Sequence, residues 1–131
     1  MREDVKKELL KAQQSELETV VIYKYLAAVA KDEEMKAVFQ KMATEEGRHA
    51  GILRKYTGET LQRKDKPRFM FRLMTKVLGI RYTMKMMVMT EMKTAEAYAP
   101  MAASVPLMKD VVNDEKRHRK HLQRFIDEKR K

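Results

Sequence analysis

Glu45-Glu46-Gly47-Arg48-His49 and Asp114-Glu115-Lys116-Arg117-His118 are one pattern written twice, acidic-acidic-x-x-His, at an offset of 69 (46 to 115). Residues three apart on an α-helix project from one face about a turn apart. Glu46 with His49, and Glu115 with His118, therefore each offer a carboxylate and an imidazole in one direction. The stretch before each pair carries a further glutamate with a tyrosine seven residues on: Glu16 with Tyr23, and Glu91 with Tyr98, at an offset of 75 (16 to 91). The four agreements are an internal repeat of a two-helix unit.

Four glycines and three prolines punctuate the 131 residues, and no alternating β-branched segment signals a strand, so the expected fold is all-α. The pattern predicts helix A from about Asp4 to Lys31 and helix B from Asp32 or Glu33 to Tyr56, stopped by Thr57-Gly58. A basic connector, Glu59 to Lys66, leads to a short amphipathic helix, with Pro67 in its first turn, that runs to Lys76 or Leu78 before Gly79. Helix C is expected over Ile80 to Ala99. Pro100 and Pro106 bracket the turn into helix D, capped by Ser104 and running to about Lys129.

Bundle helices repeat their core positions in steps of three and four, which defines a seam on each. The seams read Leu9, Gln13, Glu16, Val20, Tyr23, Ala27 in helix A and Met84, Val88, Glu91, Ala95, Tyr98 in helix C. In helix B two rows carry Phe39, Glu46, Leu53 and Met42, His49, Tyr56. In helix D the seam is Val111, Glu115, His118, Leu122, Phe125. Glu18, Glu45, Glu96, Asp114 and His121 fall off the seams: Glu18 and Glu96 are read as solvated, Glu45 and Asp114 as solvated with the outer shell of a metal site as the alternative, and His121 as a surface or outer-shell residue. Of the 12 methionines, the run Met84, Met86, Met87, Met89, Met92 is read as core packing and a dimer face.

Four ionised carboxylates in a helical core each cost several kcal/mol and repel one another, so the seams require compensation. Two divalent cations balance four carboxylates, and two neutral imidazoles complete the ligand set: Glu16, Glu46, His49, Glu91, Glu115 and His118. Oxygen-rich donors with nitrogen suit iron or manganese, and zinc also fits. The chain has no cysteine, which excludes disulfides, thiolate metal sites and thiol catalysis. No apolar run reaches the roughly 20 residues that cross a bilayer, and residues 1–4 have no signal-peptide character, so a cytoplasmic location is expected. The net charge of +10 comes from lysines and arginines spread around the helices without the interleaved aromatics of a nucleic-acid platform, and is read as solvated surface.

With these residues in view, the chain resembles the rubrerythrin-like branch of the ferritin-like di-iron carboxylate superfamily across all four helices. Leu9-Leu10-Lys11-Ala12 with Glu16 and Tyr23 looks like the family's first helix, and the two acidic-acidic-x-x-His motifs look like its second and fourth. Glu91 and Tyr98 are similar to the third helix of short archaeal members and of the rubrerythrin domain attached to some vacuolar iron transporter family proteins. The resemblance implies a ferritin-like four-helix bundle over residues 1–131, built of two hairpins with a long crossover between helices B and C. It implies two iron ions bridged by Glu46 and Glu115, with Glu16 and Glu91 terminal, one histidine on each metal, and Tyr23 and Tyr98 hydrogen-bonded to ligand carboxylates. The implied activity is an oxidoreductase that reduces peroxide or dioxygen, the alternative being an iron-binding sensor or delivery module beside a membrane iron transporter. The implied partners are a second copy of the chain, meeting through Phe69 to Met74 or the methionine side of helix C, and an external electron donor such as a separate rubredoxin. Two departures are visible: peroxide-reducing rubrerythrins carry a carboxylate where this chain has Thr94, and a Cys-rich electron-transfer domain where it has no cysteine.

Overall fold

The computed structural model describes residues 2–128, and among them every regular element is helical. The elements are α1 (Glu3–Val29), α2 (Glu33–Thr57), α3 (Phe69–Leu78), α4 (Ile80–Tyr98), a 3₁₀ helix (Ala99–Ala103) and α5 (Met108–Asp127). The chain forms two compact units. One holds the residues up to Val29 with Lys36–Arg68, and the other holds Ala30–Met35 with the chain from Phe69 onward. They follow the two halves of the sequence repeat.

In the first unit α1 and α2 meet along the predicted seams. Leu9, Gln13, Glu16, Val20, Tyr23 and Ala27 are all buried, and the Tyr23 ring stacks on Phe39 with centroids 6.2 Å apart. The far end is closed by a polar chain the sequence pattern does not reveal. Thr57 Oγ1 donates to Gln13 Oε1 at 2.7 Å, and Gln13 Nε2 donates to the carbonyl of Glu59 at 2.8 Å. Gly58, at φ 70°, ends α2 in the left-handed conformation, its N–H donating to the carbonyl of Arg54 at 2.8 Å.

In the second unit α4 packs along α5, and α3 packs on α4. Val111, Glu115, His118, Leu122 and Phe125 form the buried row of α5 as the spacing predicts. Asp32 caps α2, its Oδ1 accepting from the N–H groups of Glu34 (2.8 Å) and Met35 (3.1 Å). Gly79, at φ 92°, separates α3 from α4.

Several sequence expectations need correction. Helix A stops at Val29 rather than Lys31, and α5 starts at Met108 without a side-chain cap, so Ser104 does not cap it. Ser104 instead ends the 3₁₀ helix that occupies the expected Pro100–Pro106 turn; the buried Val105 anchors the next turn through its N–H on the carbonyl of Met101 at 2.8 Å. The expected end of helix D at Lys129 lies outside the described residues. Val88 and Tyr56 are only half-buried, and their neighbours Met87 and Thr57 take the buried positions. Within the methionine run Met84 and Met87 are core, whereas Met86, Met89 and Met92 are exposed.

Candidate metal centre

Each unit holds one triad of two glutamates and a histidine. In the first, α1 supplies Glu16 and α2 supplies Glu46 and His49 from positions a turn apart. His49 Nδ1 lies 3.7 Å from Glu16 Oε2 and 3.6 Å from Glu46 Oε1. In the second, α4 supplies Glu91 and α5 supplies Glu115 and His118, with His118 Nδ1 3.7 Å from Glu91 Oε1. In both triads the three residues offer ligand atoms within 4.8 Å of one another.

The glutamates are each 1% exposed and the histidines 0%, so water does not solvate them. Both carboxylate oxygens of Glu16 are buried and accept no hydrogen bond, which for an ionised group costs several kcal/mol. The histidine contacts are longer than hydrogen bonds. They approach the separation of roughly 3.0–3.5 Å expected between two donors that each lie about 2.1 Å from one first-row ion. Two carboxylates and a neutral imidazole are formally balanced by one divalent cation. Donor chemistry, burial and spacing therefore all fit a metal in each triad.

The remaining sequence candidates distribute around these triads. Tyr23 and Tyr98 are buried one helical stretch beyond Glu16 and Glu91. Glu18 and Glu96 are exposed, as read from the sequence, and Glu45 and His121 are half-buried. Asp114 is a correction: it is buried, not solvated, and its Oδ1 accepts from Arg117 Nη1 at 3.0 Å. The acid and the arginine stand three apart on α5, the spacing of a helical ion pair. Thr94 is half-buried and belongs to neither triad.

The family profile of rubrerythrin matches residues 7–126, which takes in both triads and all the long helices. The chain belongs to the rubrerythrin family. Comparison with curated proteins and with solved structures gives no match. Membership of the rubrerythrin family, with helices as the only regular elements among the described residues, makes the fold class all-α and ferritin-like, as the resemblance implied. Among the described residues, no helix of this rubrerythrin-family chain is long and apolar enough to cross a membrane.

Proposed function

We propose that each triad binds one iron of a di-iron carboxylate protein and that the protein is an oxidoreductase reducing peroxide or dioxygen. The observation that carries this reading is the duplication itself: two buried Glu, Glu, His triads whose Glu–His distances match at 3.7 Å, in a chain of the rubrerythrin family. When bound, two ferrous ions supply the two electrons that reduce peroxide to water without releasing a radical. Glu16, Glu46 and His49 would hold one ion and Glu91, Glu115 and His118 the other, with the two histidines supplying the nitrogen donors. The carboxylates keep the pair neutral, and the surrounding buried side chains exclude bulk water. Tyr23 and Tyr98 orient ligand carboxylates through their hydroxyl groups. With no cysteine in the sequence, reducing equivalents come from a donor outside these 131 residues, of the rubredoxin kind.

The test is rapid mixing of anaerobically loaded diferrous protein with peroxide, alongside metal analysis of protein purified under iron-replete, zinc-poor conditions. The expected result is two irons per chain, oxidised faster than free ferrous ion, with both properties lost in Glu46→Ala. Oxidation no faster than the free ion removes the oxidoreductase reading. A second reading rests on Thr94, which stands where peroxide-reducing relatives have a carboxylate: the same centre then serves as an iron sensor or a delivery module for a membrane transporter. In that case iron exchanges reversibly with a chelator on the timescale of mixing, and peroxide does not accelerate its oxidation.

A further inference from the structure

Helix α3 is docked with its apolar side outward. Its single buried residue is Thr75, whose hydroxyl bonds that of Thr83 on α4 at 2.7 Å, while Phe71 and Met74 are only half-buried. Phe69, Met70 and Val77 are 64, 61 and 69% exposed, and Leu73 lies between them on the same face. At 100° per residue, Phe69, Leu73, Val77 and Met70 fall within one stripe about 100° wide. Arg72 and Lys76, one turn apart, run along one edge of it. The Arg72 guanidinium sits 5.8 Å from the centre of the Phe69 ring, so its charge borders the apolar stripe.

The charge around the stripe selects its occupant. From Arg63 to Lys85 every charged residue except Asp65 is basic. Apposing this face to a second copy of the chain would set two basic margins against each other, while an anionic headgroup layer supplies the opposite charge. We infer that α3 is an interfacial helix that seats this protein on an anionic membrane surface. Phe69, Met70, Leu73 and Val77 enter the acyl boundary, and Arg72 and Lys76 reach up to lipid phosphates. A ten-residue helix is about 15 Å long, which suits it to lie in the plane of the interface. The inference is independent of the metal reading, because it uses none of the triad residues.

Flotation of the full chain with vesicles tests it, comparing phosphatidylcholine alone with an equal mixture of phosphatidylcholine and phosphatidylglycerol. Binding is expected only with the anionic mixture, falling about fivefold in Lys76→Glu for each unit of charge and at least about tenfold in Leu73→Glu/Val77→Glu. Since the chain has no tryptophan, Val77→Trp gives a direct readout: its emission should shift to the blue on adding anionic vesicles, and stay unchanged with neutral ones. Circular dichroism and melting of the exposed-face variants should match the parent. The inference is overturned by absence of binding to anionic vesicles, or by binding that Leu73→Glu/Val77→Glu leaves intact. A stable dimer that Val77→Glu dissociates also overturns it, since the face would then be covered by a second copy.

Discussion

The hairpin of α1 and α2 and the hairpin of α4 and α5 place the same triad of side chains from different scaffolding. α1 continues from Tyr23 to Val29, and α2 begins at Glu33, well before Glu46; α4 ends at Tyr98, and α5 begins at Met108, nearly two turns nearer to Glu115. The first hairpin turns through a three-residue link ending in the Asp32 cap, the second through a 3₁₀ helix and Pro106. Yet the histidine-to-glutamate distance across each hairpin is 3.7 Å. The difference in length is absorbed at the turns, so what the repeat keeps is the histidine-to-glutamate spacing across each hairpin. Packing differs too. Phe39, stacked on Tyr23, corresponds at the repeat offset to Met108. The Gln13–Thr57 pair corresponds to Val88 and Ile126, an apolar solution of the same position.

The largest effect expected is on metal binding. His49→Ala and His118→Ala should each weaken iron binding by at least about 100-fold, measured by competition with a calibrated chelator. If only one of them does so, the two hairpins are not functionally equivalent. Next, Phe39→Ala is expected to cost about 4 kcal/mol in urea unfolding, against about 3 kcal/mol for Met108→Ala. A cost at Met108 equal to or above that at Phe39 would show that the aromatic stack adds nothing to its hairpin. In metal-free protein, Glu16→Gln should raise stability by about 1–3 kcal/mol, because it removes a buried charge whose oxygens accept no hydrogen bond. Loss of stability there would argue that the site is organised without metal.

A fourth comparison exchanges the polar filling for the apolar one. Thr57→Ile alone leaves Gln13 Oε1 without its donor and should cost about 1–3 kcal/mol, whereas Gln13→Val/Thr57→Ile should recover most of that loss. A double-mutant cycle by denaturant titration measures the coupling. The smallest effect is at the two helical glycines of α2, whose counterparts in α5 are Lys116 and Lys120. An added Cβ at Gly47 meets only Val20 Cγ2 at 3.9 Å, and at Gly51 it meets nothing within 4 Å. Each Gly→Ala change should therefore stabilise by up to about 1 kcal/mol, visible as a raised melting temperature.

The candidate triads were legible because their evidence is periodic: a carboxylate, an imidazole and a tyrosine recur at helical spacing on rows of apolar residues, and burial follows the row. The Gln13–Thr57–Glu59 chain was not legible. Gln13 reads as an anomaly within a seam until the end of α2, 44 residues on, supplies a hydroxyl partner. Ser104 has the chemistry of a cap, but the buried Val105 and the 3₁₀ turn before it move the helix start to Met108. Asp114 reads as solvated from its offset to the seam, yet in the folded unit it is buried and paired with Arg117.

By itself the sequence determined the all-α class, the duplicated hairpin and the buried positions of the six candidate ligands, because helical periodicity is a local property that survives in one dimension. Tertiary structure decided which polar groups close the core at Gln13 and Thr57. It also decided that α3 docks through Thr75 and leaves Phe69, Met70 and Val77 facing outward. A hydrophobic stripe states that a helix has two faces; which face meets the protein depends on the partner it packs against, and that partner is set only when distant parts of the chain come together.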